Sequence, residues 1–383
     1  MYCIKNGKIF TVTNETIDKG DILVKNGKIE KIGKNLKIPA GYDIIDAENK
    51  LVYPGFIDAH CHAGIMESGE GGDAGDDTNE MTDPVTSNVR ALDGINPFDT
   101  AFREALINGG ITSVMVSPGS ANIIGGEVCA LKTCGKIIDD MIIKEVIGMK
   151  MALGENPKRV YGSKGKAPFT RMSNAAIMRE SFFKTKEYIT NRAKKDSTTP
   201  FDLKYENLAK VINKEIPARI HCHRADDIAT AIRITKEFDI EYIIEHTTEG
   251  HLIPDYIAMQ NISVCVGPTL TGKSKLELRN KTIDTVKVLH DKGIKVCIST
   301  DHPVFELYLL PVSAGYALKT GLNHDEIIKM ITINPAEVCR ISDRVGSLEK
   351  GKDADIVIWD KNPLNTGANV QLAMVNGKIE YSI

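Results

Sequence analysis

Residues 54–62 read PGFIDAHCH and place two histidines directly after a short apolar run. The run at 55–59 has the character of a buried β-strand. Side chains two residues apart on a strand point to the same face, so His60 and His62 point together while Cys61 points away. Two imidazoles that converge at the end of a strand have the geometry of metal ligands. The stretch therefore predicts a buried strand with a metal-binding pair at its carboxyl end.

Similar side chains recur at the ends of three later apolar runs. His221 and His223 end the first of these, His246 ends the second, and Asp301 follows the third. In a βα barrel the carboxyl ends of the strands gather on one face, where active sites lie. The alternative, separately hydrogen-bonded core histidines, requires four such strand ends to arise by chance. We therefore expect these side chains to meet at one site.

Apolar strands alternate with helical stretches throughout residues 54–345, which predicts a distorted TIM (β/α)8 barrel. Strands are predicted at 55–59, 111–116, 145–153, 218–221, 242–245, 262–266 and 295–299, with an eighth within 126–132. Helices are predicted at 99–108, 174–194, 227–238, 282–292 and 323–332.

The two ends of the chain share a different pattern. Short strands with Asn-Gly turn signals occur at Asn6-Gly7, Asn26-Gly27 and Asn376-Gly377. We predict that residues 1–53 and 346–383 form one composite β-sandwich domain, built from both termini and separate from the barrel at 54–345.

Composition narrows the classes of partner. The 383 residues include 48 basic and 51 acidic side chains, a net charge of −3, so no basic field favours nucleic acid. The apolar stretch at 105–126 contains Pro118 and several glycines, which favours a buried strand and loop over a membrane span. Eight cysteines without a CxxC pair predict free thiols and a cytoplasmic location. We expect a small-molecule substrate. The oligomeric state stays open, with a homo-oligomer as one alternative.

Several motifs resemble the amidohydrolase superfamily, and more narrowly its imidazolonepropionase-related metal-dependent hydrolases. The first-strand motif is PGFIDAHCH, the second-strand motif is GITSV at 110–114, and the closing signature comprises NPA at 334–336 and GSLEKGKDAD at 346–355. The resemblance implies that His60, His62, His221 and His246 bind a divalent metal and that Asp301 is both ligand and proton shuttle. Zinc is favoured, with iron or manganese as alternatives, in one or two ions.

This resemblance implies an amidohydrolase that attacks an amide or cyclic amide C–N bond with metal-activated water. Two alternatives stay open. One is an Xaa-Pro-type or N-acyl amino acid dipeptidase, and the other is an inactive relative that serves as a binding or assembly protein.

Two positions of the implied site have more than one candidate. The family often adds a bridging ligand, either a carbamylated lysine or a glutamate, for which Lys150 and Glu155 qualify, and Glu155 is favoured because it lies at the strand end. His221 is favoured over His223 as the ligand, leaving His223 as a catalytic group nearer the mouth. Imidazolonepropionases resemble His-x-x-Glu here, whereas this chain has Arg224 at the last position.

Charged segments suggest how a substrate is bound. Residues 67–83 carry seven acidic side chains and no Lys or Arg, and residues 158–171 carry five basic side chains and no acid. The acidic loop either overhangs the site and favours a cationic substrate or is simply solvated. The basic segment either binds a carboxylate or pairs with the acidic loop. Arg224 and His302 are further candidates for substrate binding, Arg224 because guanidinium binds carboxylates bidentately.

Overall fold

A computed structural model describes residues 1–68 and 75–383 and contains an eight-stranded barrel sheet with helices around it. The amino-terminal strands are β1 (Tyr2–Ile9), β2 (Ile17–Lys25), β3 (Lys28–Lys34), β4 (Asp43–Asp46) and β5 (Leu51–Pro54). The barrel strands are β6 (Phe56–Cys61), β7 (Ile111–Val116), β8 (Ile124–Lys132), β9 (Ile142–Ala152), β10 (Ala218–Cys222), β11 (Tyr242–His246), β12 (Ser263–Val266) and β13 (Lys295–Ile298). The carboxyl-terminal strands are β14 (Ile356–Trp359), β15 (Val370–Val375) and β16 (Lys378–Ser382).

The helices lie mostly between barrel strands and cover their outer faces. They are α1 (Thr100–Gly109), α2 (Ile138–Met141), α3 (Glu155–Gly162), α4 (Arg171–Arg192), α5 (Leu203–Ile212), α6 (Ala225–Phe238), α7 (Pro254–Ala258), α8 (Asp284–Asp291), α9 (Leu310–Tyr316), α10 (His324–Lys329) and α11 (Ile333–Val338). The predicted helix at 323–332 is the shorter α10, because the chain turns at 330–332 before α11 begins at Ile333.

The barrel strands follow chain order from β6 to β13, and the sheet is nearly closed. Beyond the strand ends, the Asp301 amide donates to the His60 carbonyl at 3.0 Å, and the His62 amide donates to the His302 carbonyl at 2.9 Å. The last barrel strand is thereby hydrogen-bonded to the first beside the predicted site. The predicted barrel is confirmed at the level of this mixed α/β sheet.

One strand departs from the parallel barrel that the sequence predicts. Strand β8 is antiparallel to both β7 and β9. A parallel crossover needs a dozen or more residues, whereas only residues 117–123 join β7 to β8 and residues 133–141 join β8 to β9. The short connections therefore reverse the chain at both ends of β8.

The first half of the fully buried strand β8 pairs with the long loop that follows β6. Isolated β-bridges join Val85 to Ile124 and Arg90 to Glu127. The Glu127 carboxylate also lies 2.6 Å from Nζ of Lys210 on α5. The returning part of this loop thus occupies the edge of β8 that extends beyond its pairing with β7.

Strands from both ends of the chain join in one mixed sheet, in the order β16-β15-β14-β5-β1-β2-β3, with β4 paired to β1. Strand β14 pairs antiparallel with β5, so that Ile356 lies opposite Pro54 and Trp359 opposite Leu51. Apolar side chains of both ends, including Ile4, Val52 and Ile356, pack in one core cluster. The two-layered sandwich and the domain boundaries at 53/54 and 345/346 stay predictions.

Within the described ranges, no helix is both long and apolar enough to cross a bilayer. All eight cysteines are free thiols.

A buried lysine links the barrel to the flanking sheet. The Nζ atom of Lys132, at the end of β8, lies 2.6 Å from Asp355 Oδ2 and 3.0 Å from Asp353 Oδ2. All three side chains are at most 4% exposed. These two ion pairs therefore connect the two sheets in a buried region, where a charge without a partner of opposite sign is costly.

We expect Lys132→Met to lower the free energy of unfolding by about 3–5 kcal/mol, because it leaves the buried carboxylate of Asp355 without an ion-pair partner among the described residues. Urea denaturation followed by circular dichroism measures the change. Lys287→Met is the matched control, since it removes a partly exposed helical ion pair with Asp291 and should cost no more than about 0.5 kcal/mol. Equal destabilisation by the two variants would contradict the assigned role of Lys132.

Candidate metal centre

Seven polar side chains from five barrel strands meet at the carboxyl ends of those strands. All are buried apart from the Asp301 side chain, which is 14% exposed. Their possible ligand atoms include two groups, each lying within 4.8 Å, namely His60, His62 and Asp301, and His221, His223 and His246. The structure thus brings together the five side chains that the sequence placed at one site, together with His223 and Lys150.

The first group is centred on the carboxylate of Asp301. Its Oδ1 atom lies 3.3 Å from Nε2 of His60 and 3.2 Å from Nε2 of His62. Burial alone would raise the pKa of Asp301, but His246 and the adjacent rings of His60 and His62 hold the pKa well below its usual range. Asp301 is therefore an ionised carboxylate beside two imidazoles.

The opposite ring nitrogens of these two histidines bind acceptors of the protein. Nδ1 of His62 lies 2.7 Å from the Ser117 carbonyl, and Nδ1 of His60 lies 2.9 Å from Glu245 Oε2. An Nδ1–H that donates to an acceptor leaves Nε2 with its lone pair, which is the arrangement of metal-ligating histidines. Both rings are therefore oriented with Nε2 toward Asp301.

Glu245 and its neighbour His246 both face the centre, although adjacent strand residues normally point to opposite faces. The backbone of His246 has φ 67°, in the left-handed region, and so breaks the alternation at the end of β11. Nδ1 of His246 lies 2.8 Å from the Gly267 carbonyl, which holds the ring in place. This conformation costs energy for a residue other than glycine, and such strain concentrates at functional sites.

The second group contains a histidine that has no hydrogen-bond partner in the part of the chain that the structure describes. Neither ring nitrogen of His221 has a partner there, although the side chain is only 3% exposed. Burial lowers the pKa of His246 to about 3 and holds the pKa values of His221 and His223 well below the usual range. Neutral imidazoles with free lone pairs are the form that binds divalent metals. The residues present therefore fit such an ion.

Lys150 reaches this centre and Glu155 does not. The fully buried Nζ of Lys150 lies 3.3 Å from Nε2 of His60. Burial lowers the pKa of Lys150 to about 8. Glu155 begins α3 and belongs to neither ligand group, and its amide donates to the Glu277 carboxylate at 3.0 Å. The geometry thus favours Lys150 as the additional ligand, although the sequence analysis ranked it below Glu155.

Glu277 is a residue of the centre that the sequence analysis did not identify. It lies in a 3-10 turn (Leu276–Leu278) after β12 and is fully buried. Its Oε1 atom lies 3.9 Å from Nε2 of His221, 3.7 Å from Nε2 of His223 and 3.1 Å from Nζ of Lys275. The Leu-Glu-Leu pattern, an acid between apolar side chains, is the only local signal for it, and this signal is weak.

The two proposed substrate-binding residues have protein partners. Arg224 forms a bidentate ion pair with Asp226, at 2.9 and 2.8 Å, which occupies its guanidinium edge. The buried His302 accepts the Leu307 amide on Nδ1 at 3.2 Å, and its Nε2 lies 3.3 Å from the Ser68 hydroxyl. His302 therefore lies against the loop that follows β6, whereas Arg224 turns to its own helix.

Side chains of the basic segment donate hydrogen bonds to backbone carbonyl oxygens of the acidic loop. Lys164 Nζ donates to the Met81 carbonyl at 3.0 Å, and the Tyr161 hydroxyl donates to the Asp83 carbonyl at 2.7 Å. The Asp83 carboxylate pairs instead with Lys204, at 3.2 Å. Two of the seven acidic residues, Glu70 and Asp73, lie outside the described residues.

Comparisons with known proteins agree with the fold and the motifs. The model of the Amidohydrolase family matches residues 51–379. The crystal structure of an amidohydrolase from Thermotoga maritima MSB8 superposes with a TM-score of 0.96 at 43% sequence identity, and the match covers 100% of both chains.

Two curated relatives are more distant in sequence. The amidohydrolase tasK of Hapsidospora irregularis is 28% identical over 94% of this chain, which spans 40% of that protein's length. An imidazolonepropionase of Brucella anthropi is 24% identical over 94% of this chain and 92% of its own length. These matches confirm the resemblance to amidohydrolases related to imidazolonepropionase, a class of enzymes that act on carbon–nitrogen bonds.

Proposed function

Because the chain belongs to the amidohydrolase family, we propose that it is a metal-dependent hydrolase that cleaves an amide or cyclic amide C–N bond of a small molecule. The observation that carries this proposal is the placement of Asp301 within 3.3 Å of both His60 and His62, beside a second histidine group. A carboxylate in this position can both bind a cation and carry a proton.

We assign His60, His62 and Asp301 to one divalent cation, and His221 and His246 to a second. Zinc is the first candidate, because imidazole and carboxylate are ligands that it favours, with iron and manganese as alternatives. A bound cation supplies Lewis acidity, which polarises a carbonyl and acidifies water. Arg219 beneath the centre is paired with Glu245 and so does not supply this charge.

The protein residues supply proton transfer and orientation. Asp301 accepts the proton of the attacking water and returns it to the nitrogen that leaves, so that the C–N bond breaks without releasing a free amide anion. His223 is the second catalytic group, and its ring is oriented by the Thr248 hydroxyl, which lies 2.7 Å from Nδ1. In this assignment Nε2 of His223 contacts the substrate.

We also assign the bridging position to Lys150 as a carbamate rather than to Glu155. The neutral lysine amine adds to carbon dioxide, a proton leaves, and the N–C bond that forms creates a carboxylate-like group. The position of the buried Nζ of Lys150, 3.3 Å from Nε2 of His60, supports this assignment.

We expect Asp301→Asn to keep at least one bound zinc ion and to lower kcat by about 10²–10⁴-fold, because it removes the proton carrier and keeps the shape of the side chain. The measurement is hydrolysis of N-acyl amino acids, dipeptides and cyclic ureides by zinc-loaded protein, with zinc determined by elemental analysis. An unimpaired variant would exclude the assigned role. Wild-type protein without stoichiometric metal would instead support the inactive binding or assembly protein.

Lys150→Met should lower the zinc content by one ion per chain, whereas Glu155→Gln should leave it unchanged, because only the lysine reaches the ligand groups. Elemental analysis of the purified variants measures both values. Native mass spectrometry of the wild type should also show the added mass of one carbon dioxide. The opposite pattern, with loss only in Glu155→Gln, would restore Glu155 as the bridging residue.

A further inference from the structure

The histidines of the centre differ in whether a hydrogen bond holds the ring. Four of them place a ring nitrogen against an acceptor within 2.9 Å: His60 on Glu245, His62 on Ser117, His223 on Thr248 and His246 on Gly267. Within residues 1–68 and 75–383, His221 has no partner on either nitrogen. A ligating histidine ordinarily donates its other N–H to a carboxylate, a carbonyl or water. Among these five rings, His221 is therefore the one whose orientation no hydrogen bond of the described residues fixes.

The carboxylate of Glu277 is a charged acceptor close to His221. Its Oε1 atom lies 3.9 Å from Nε2 of His221, which is too long for a hydrogen bond, and a shift of about 1 Å would close it. The carboxylate itself is held from two sides, by the Glu155 amide on Oε2 at 3.0 Å and by Lys275 Nζ on Oε1 at 3.1 Å. Glu277 is therefore a held, buried acceptor that faces a ring without a hydrogen bond among the described residues.

In a step that rests on the proposed metal-dependent function, we propose that Glu277 is a positioning residue that accepts the Nε2–H of His221. This hydrogen bond fixes the tautomer of the ring and leaves Nδ1 as the ligand nitrogen. The arrangement repeats, with the two nitrogens exchanged, the contact between Glu245 and His60. In both pairs a buried carboxylate makes the imidazole a stronger donor of its lone pair.

His223 competes for the same oxygen, since its Nε2 lies 3.7 Å from Glu277 Oε1. The Nδ1 atom of His223, however, is already bonded to the Thr248 hydroxyl, which can donate or accept and so satisfies either tautomer. The Glu155 amide and Lys275 Nζ both donate to the Glu277 carboxylate, which has lone pairs left for a further donor. Glu277 thus remains an acceptor for the ring that lacks one.

The test measures zinc affinity for both ions by competition with a chelator. We expect Glu277→Ala to weaken binding of the second ion about 10–100-fold and to leave the first ion unchanged. Glu277→Gln should restore most of the affinity, because its amide carbonyl still accepts a hydrogen bond. Glu155→Gln is the matched control, because its backbone amide contacts Glu277 while its side chain belongs to neither ligand group. The visible absorption spectrum of cobalt-loaded protein reports whether the second ligand set has changed.

Each result of this test decides the proposal. A loss of affinity that persists when Glu277→Ala is combined with His223→Gln supports action through His221, whereas a loss that disappears in that background overturns it. Unchanged affinity in Glu277→Ala, or equal weakening of both ions with a lower melting temperature of the metal-free protein, also overturns it. If wild-type protein binds two ions and is active, these failures leave the proposed function intact. If wild-type protein binds no ion, both proposals fail.

Discussion

The buried carboxylate of Glu245 holds three barrel strands and the metal centre in one arrangement. It accepts hydrogen bonds from His60 on β6 and from Arg219 on β10, while Arg219 also donates to the Ala59 carbonyl at 2.7 Å. Removing one member of such a buried pair leaves an uncompensated charge, which costs far more than an exposed pair contributes. The ring of His60, and with it the contact to Asp301, therefore depends on a charge balance beneath the site.

The position of each site residue along its strand explains whether the sequence predicted it. The rule that functional groups follow strand ends was sufficient for His60, His62, His221, His246 and Asp301, and the period of two along a strand predicted that His60 and His62 share a face. They ranked Lys150 below Glu155, because Lys150 lies level with Arg219, two residues below the layer of His221. A lysine side chain is long enough to reach the next layer, and no rule based on backbone position includes that length.

Other features depend on contacts that no local pattern contains. The eight barrel strands could be placed from apolar runs, but the reversed direction of β8 follows from the lengths of its two connections. Glu277 acquires its role only when a turn after β12 packs against strand β10. Arg224 has the right charge for a carboxylate, yet a partner two residues away, Asp226, neutralises it. Local chemistry thus predicted the histidine centre, while tertiary packing determined its charged surroundings.

The reversed strand β8 has a consequence for how this barrel can diverge. Loops at the carboxyl face of a barrel usually vary in length freely, because the helices behind them cover the sheet. Here the loop after β6 is constrained at both ends, since its start lies beside His302 and its returning part pairs with the edge of β8 at Ile124 and Glu127. Shortening it would leave backbone groups on that edge of β8 without their partners. The surroundings of His302 and the pairing of β8 are therefore coupled through a single loop.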